Sequence, residues 1–249
     1  MAVRPDLAPP APRPGTVPAR PARAPLAASL AGLIGFAVLT VLVLVDPGPL
    51  ALDRELHRLA LEHREPVVGI STFVTHLGTV PVILPLLLLA GVLTARRSGV
   101  WWLVVAGPLL LFAGQAVRYA AMVTIDRPRP PAQDWVRHAS GESFPSGHTT
   151  TAALGYGLLL LLLSPSVRSV AGRALLAVGL LGVAAGVGAS RVVLGMHWPT
   201  DVLGGWSLAL FLLPLAAVVL ARLGSARLGS TGFGSTGFGS TGPGLPPTR

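Results

Sequence analysis

Three short segments of the chain gather residue types that handle phosphate. One reads Pro145-Ser146-Gly147-His148 and opens an apolar run; a second reads Ser190-Arg191, five residues, His197, three residues, Asp201. The third, Asp126-Arg127-Pro128-Arg129-Pro130, lies in the 124–148 connection just before the first. Ser146 is a good N-cap, Gly147 lets backbone approach a ligand, and the unpaired amides and dipole of a helix start favour negative charge. An anion docked there would stand beside His148, which could give a proton to an oxygen leaving phosphorus. The same four residues also suit a capped helix with an ordinary interfacial His.

His197 and Asp201 are four residues apart. Pro199 and Thr200, a candidate N-cap, put the start of the last helix between them. On either side of that boundary the carboxylate can accept from one imidazole nitrogen, fixing the tautomer and freeing the other nitrogen to attack. A plain hydrogen-bonded pair at an interface has the same spacing. Arg129 and Arg191 offer forked donors for the non-bridging oxygens of a phosphoryl group, or alternatively serve as snorkelling anchors.

The elements that must position these residues follow from composition. The chain has 249 residues, 51% hydrophobic and 12% charged, with mean hydropathy +0.67, too little polar surface to coat a soluble globule. Its apolar residues fall in six blocks, at 26–45, 67–94, 100–123, 149–163, 171–193 and 202–221. Most are long enough for a helix across a hydrocarbon core of roughly 30 Å. The expected fold is all-α, an integral membrane bundle of six transmembrane helices over residues 26–222. The first block is too long for a signal-peptide core and lacks a clear cleavage site, so it reads as a retained span. Leu52, Leu56 and Leu59 recur at helical spacing among charged residues, the pattern of a short helix lying at the interface. Residues 1–25, rich in Pro and Arg, read as a disordered tail, and 223–249, with its Gly-Ser-Thr-Gly-Phe repeats, as a low-complexity one.

All 19 basic residues are Arg, and the net charge is +9. No basic cluster interleaved with aromatics suggests nucleic acid, so that partner is not expected. The excess has a topological reading instead. With the N-terminus cytoplasmic, the inner segments hold eleven Arg and the single acid Asp6, while the outer segments hold eight Arg and nine acids. Both termini are then cytoplasmic in a multi-pass plasma-membrane protein, and all three phosphate-handling segments share the extracytoplasmic face. The absence of Cys removes disulfides, thiolate chemistry and Cys-ligated metals.

With these residues in place, the chain resembles the type 2 phosphatidic acid phosphatase (PAP2) superfamily. The family's second motif, Pro-Ser-Gly-His, is matched at 145–148, and its third, Ser-Arg-x5-His-x3-Asp, from Ser190 to Asp201. The resemblance extends over the six-span layout, about 27–221. It implies His197 as the phosphate-attacking nucleophile, Asp201 as its orienting carboxylate and His148 as the acid for the leaving group. Phosphate contacts are expected from Arg129, Ser146, Gly147 and Arg191 on their own chemistry, and the resemblance implies no metal; no cofactor is expected. The first motif, Lys-x6-Arg-Pro, departs from the pattern: counting back from Arg129 puts Met122 at the Lys position, and from Arg127, Ala120. Arg118, one helical turn before Met122 and about 5.4 Å away along the axis, is the candidate substitute, or else a structural Arg near the outer interface.

The expected activity is a membrane phosphatase acting on a lipid phosphate or diphosphate at the outer leaflet through a phosphohistidine. Undecaprenyl-diphosphate, phosphatidylglycerophosphate and phosphatidic acid types are the substrates the resemblance implies; neither the particular lipid nor the oligomeric state is encoded in these motifs. A vanadate-dependent haloperoxidase has a similar site, because vanadate mimics phosphate, but those enzymes are soluble. A non-catalytic lipid-binding or transport protein keeping the fold would be expected to lose His197, Asp201 or His148, and all three are present. The altered first motif is the one point in its favour.

Overall fold

The computed structural model describes residues 23–230. Among these, eight α-helices form: α1 (Arg23–Val45), α2 (Ala51–Glu62), α3 (Val68–His76), α4 (Val80–Ser98), α5 (Leu103–Ile125), α6 (Gly147–Leu163), α7 (Val170–Val193) and α8 (Pro199–Ser230). Six of them, α1 and α4 to α8, are long and apolar enough to cross a membrane, as the hydropathy blocks imply. The fold is all-helical.

Three boundaries differ from the sequence expectation. The 67–94 block is two helices, not one. Pro81 lacks the amide that a continuous helix would donate to the Leu77 carbonyl, and its ring would clash there. Gly78, in the break, is pressed so closely that a Cβ would collide with Val187 of α7 and sit 3.0 Å from the His148 carbonyl. The other two differences lie at the tails. Helix α1 begins at Arg23, inside the expected 1–25 tail, because Pro25 falls in the first turn, where amides have no intrahelical acceptor. Helix α8 runs to Ser230, eight residues into the expected 223–249 tail. The rest of both expected tails lies outside the described residues.

Helix α6 is the centre of the bundle and touches α4, α5, α7 and α8, while α1 packs along α8. Its side chains from Thr149 to Leu159 are all buried, against Ile83 and Leu87 of α4, Leu111 of α5, Val187 of α7 and Ala209 of α8. Lipid tails are as apolar as Leu, so helices associate in a bilayer mainly by close packing of small residues. Gly155 and Gly157 serve this: a Cβ at either would collide with Ile83 or Leu213. The outward faces remain apolar, with Leu109, Val123, Leu175 and Val178 all more than half exposed.

Helix α2 has its leucines outside. Leu52, Leu56 and Leu59 are exposed, while Asp53 and His57, one turn apart, are buried. A polar face turned to protein and an apolar face turned out suit a helix lying at a membrane interface. Asp53 starts α2 by accepting from the Leu50 amide at 3.1 Å.

Candidate active site

Helix α5 ends where Asp126 adopts the left-handed conformation (φ 54°), one of the few residue types that tolerates it. The chain then runs through Arg127-Pro128-Arg129-Pro130, and the residue before each Pro is biased to extended backbone. The two Arg residues separate completely. Arg127 is fully buried beneath the bundle's end, whereas Arg129 reaches a cavity of about 340 Å³. That resolves the ambiguity of the first motif: Arg129 is the one at the cavity.

The cavity is lined by Arg118 from α5, Arg129, Gly147 and His148 from α6, Arg191 from α7, and His197 from the α7–α8 turn. Thr75, His76, Arg137, His138 and Glu142 complete its rim. Helix α8 begins at Pro199, between His197 and Asp201 as expected, but Thr200 is not its cap. Asp201 at the third position accepts from the Trp198 amide at 2.8 Å, and Thr200 turns its amide and hydroxyl to Asp53 instead.

His197 is held at both nitrogens. Nδ1 lies 3.4 Å from Asp201 Oδ2, and Nε2 lies 3.0 Å from Arg129 Nη1. A guanidinium only donates, so Nε2 carries the lone pair and Nδ1 the proton. The lone pair therefore points at the Arg129 guanidinium, and both residues line the cavity. Burial pushes the imidazole pKa down to about 4; the Asp201 hydrogen bond opposes this, and Arg129 and Arg191 reinforce it. His197 is thus neutral from about pH 4 upward, and its nucleophilic form is lost only as pH falls through that value. The acid limb of kcat/KM, corrected for the substrate's own ionisation, is expected near pH 4; a limb near 6.5 in a pH–rate profile would contradict it.

Arg129 is braced by backbone carbonyls of Ser140, Gly141, Glu142 and Met196 at 2.7–3.2 Å. Arg191 donates to Thr75 Oγ1 at 2.9 Å, and its Nε is buried without a protein partner. Arg118 has the same feature: its Nε is buried and unpaired, and Nη1 has only the weak acceptor Met122 Sδ, at 3.1 Å. Buried donors left unpaired are costly, and both of these side chains line the cavity. Gly147 faces Arg118, with 3.6 Å from an added Cβ to the nearest guanidinium nitrogen.

Ser146 sits apart. It occupies the N-cap position of α6, but its side chain makes no cap bond. Its hydroxyl accepts from Thr149 Oγ1 at 2.9 Å, its amide donates to the Asp201 carbonyl at 3.1 Å, and it is fully buried outside the cavity lining. Ser146 therefore ties α6 to α8, and of this motif Gly147 and His148 line the cavity.

Sequence reasoning missed the layer below. Arg127 bridges Asp201 and Asp53, at 2.6 and 2.7 Å, and Ser143 donates to Asp201 Oδ2 in a short hydrogen bond. Asp53 comes from a segment far away in sequence, and only its helical spacing with His57, both out of step with the leucines, hinted at a buried role.

Comparison with known proteins shows the family. The PAP2 superfamily model matches residues 103–224. Phosphatidylglycerophosphatase B of Bacillus subtilis is 34% identical over 166 residues, which is 64% of this chain and 79% of that protein. The chain belongs to the PAP2 superfamily. A lipid A 1-phosphatase of Rhizobium johnstonii is 36% identical over 84 residues, 34% of this PAP2 chain and 30% of that protein. Among solved structures, a transmembrane PAP2 type phosphatidylglycerolphosphate phosphatase from Bacillus subtilis superposes with TM-score 0.70. It is 27% identical, over 78% of the chain and 96% of that structure. LpxE from Aquifex aeolicus gives TM-score 0.53 at 22% identity, over 70% and 96%, a likeness of fold. This PAP2 protein is thus a multi-pass helical membrane protein whose characterised relatives are phosphatases.

Proposed function

We propose that this protein hydrolyses a lipid phosphate or diphosphate at the extracytoplasmic leaflet. The observation that carries the reading is His197, its unprotonated Nε2 held against Arg129, in one cavity lining with Arg118, Arg191 and His148. The phosphoryl group sits among the three guanidinia, which take up the charge spread over its non-bridging oxygens. Nε2 attacks phosphorus as the bond to the lipid oxygen breaks, and protonated His148 delivers its proton to that oxygen. Water then attacks the phosphohistidine, losing its proton to His148, and the P–N bond opens to release inorganic phosphate and restore His197.

Asp201 holds the Nδ1–H tautomer and stabilises the charge that His197 acquires. The positive charge comes from arginine, and we infer that no divalent metal is needed. Among the described residues no group of three or more His, Asp or Glu side chains gathers as a metal cluster would. The names of the relatives add phosphatidylglycerophosphate and lipid A as headgroup types consistent with the site. Phosphate release from such lipids and from phosphatidic acid, in proteoliposomes with and without EDTA, tests the reading. Release unaffected by EDTA is expected; no release from any of them would overturn it.

Arg118 supplies the cation that the family pattern assigns to the position of Met122. Arg118→Ala is expected to lower kcat/KM by roughly 10- to 100-fold, the scale of one lost charge-assisted contact, and Arg118→Lys to restore much of it. Equal activity of Arg118→Ala and wild type would remove Arg118 from the site. The orientation is tested separately. Ser140 lies on the site loop and Arg97 at the opposite end of the bundle, on α4. In this Cys-free chain, Ser140→Cys is expected to react with an impermeant thiol reagent from outside, and Arg97→Cys only after permeabilisation.

A further inference from the structure

Beneath the cavity lies a buried layer of charge that no step of the proposed reaction uses. Arg127 has no exposure, and four acceptors hold its guanidinium. Nη1 donates to Asp201 Oδ1 at 2.6 Å and to Thr200 Oγ1 at 2.7 Å; Nη2 donates to Asp53 Oδ2 at 2.7 Å and to the Gly48 carbonyl at 3.1 Å. Asp53, equally buried, also accepts from the Thr200 amide at 2.9 Å. Two carboxylates on different helices therefore share one guanidinium. The desolvation of such a triad roughly cancels its Coulomb attraction, so stability alone gives it little reason. Its place does: Asp201 Oδ1 faces Arg127, while Oδ2 faces His197 Nδ1, the Trp198 amide and Ser143.

We propose that Arg127 and Asp53 are positioning residues for His197. Arg127 fixes the rotation of the Asp201 carboxylate and draws off part of its charge, and Asp53 sets how much by holding the far edge of the same guanidinium. The inference rests on the reading of His197 as the attacking nucleophile. It also links the site to α2, because Asp53 stands on the buried face of the helix whose leucines face outward. His197 is faced by Asp201 from α8, Arg129 from the 126–146 loop, Arg191 from α7 and His148 from α6. Arg127 and Asp53 act on it through Asp201.

The two residues have opposite signs of effect. Without the Arg127 charge, Asp201 keeps its full negative charge toward His197 and favours the imidazolium. Without the Asp53 charge, the guanidinium is left to Asp201 and the imidazolium is disfavoured. The test is a ring-nitrogen NMR titration of 15N-histidine-labelled protein in detergent, with the His197 signal assigned by its loss in His197→Gln. It is run beside the pH dependence of phosphate release from phosphatidic acid. Arg127→Met is expected to raise the His197 midpoint by roughly one pH unit, and Asp53→Asn to lower it. Arg127→Lys, keeping the charge but not the fork, is expected to leave the midpoint near wild type while kcat falls roughly 10- to 100-fold with little change in KM.

Midpoints that move together, or not at all, overturn the proposal, and so does an unchanged kcat in Arg127→Lys, since a pair that acts by charge alone gives opposite shifts without it. If Arg127→Met does not fold, an Asp53→Asn midpoint at or above wild type overturns it equally. The expected shifts in a protein without phosphatase activity would refute the reading of function and keep the positioning. His197-dependent hydrolysis with unmoved midpoints would refute the positioning alone.

Discussion

His197→Ala is expected to reduce phosphate release by roughly 10⁴-fold or more, the scale seen when an activated nucleophile is removed from a preorganised site. The size of the effect follows from the geometry. Nε2 offers an unprotonated lone pair at the cavity, and the Asp201 contact fixes its tautomer. Neither Ser143 nor Ser146 can stand in for it, because both are buried with their hydroxyls engaged. The guanidinia of Arg118, Arg129 and Arg191 remain in the variant, so affinity for a lipid phosphate should persist while turnover disappears. Phosphate release and lipid-phosphate binding measured on the same preparation check this. Loss of both together would mean that the substitution disturbed the fold or that the cation cluster depends on His197.

His148→Ala carries the second large effect, roughly 10²- to 10⁴-fold for a lipid phosphomonoester, the range of general acid–base catalysis. Here the loss depends on the substrate. A glycerolipid alkoxide is a poor leaving group and needs the proton, whereas p-nitrophenolate leaves readily as the anion, and the leaving phosphate of a diphosphate needs protonation less than an alkoxide. The deficit should therefore be greatest for phosphatidic acid and much smaller for both a prenyl diphosphate and p-nitrophenyl phosphate, whose leaving groups are far less basic than an alkoxide. The substrate's own negative charge favours the protonated imidazole when both are present. Comparing wild-type to variant ratios across the three substrates tests the assignment. A ratio for phosphatidic acid no larger than for the other two would leave His148 as a contact rather than an acid.

Much of the site was legible because its residues are local. Pro145-Ser146-Gly147-His148 marks a helix start, and His197 and Asp201 stand four apart around another, so pattern and spacing carried most of the geometry. Six spans were legible because a bilayer demands long apolar blocks. What escaped was non-local or conditional on packing. A hydropathy block ignores Pro81, whose missing amide splits 67–94 into α3 and α4, although the residue itself was in view. Thr200 looked like a cap by type, but Asp53, 147 positions away, takes its amide and hydroxyl, leaving Asp201 to cap the helix. Ser146 took the N-cap position without its usual bond because Thr149 and Asp201 claim its polar atoms. Arg127 and Arg129 look alike in the sequence, and only the fold sends one under Asp201 and the other to the cavity.

The central claim is that phosphorus passes through His197. It is tested most directly by mixing the protein for milliseconds with 32P-labelled phosphatidic acid, quenching in alkali, and mapping the labelled peptide. An alkali-stable, acid-labile phosphoramidate is expected on His197, absent from His197→Ala. Full phosphate release with label on another residue, or with no label on the protein at any time, would contradict it.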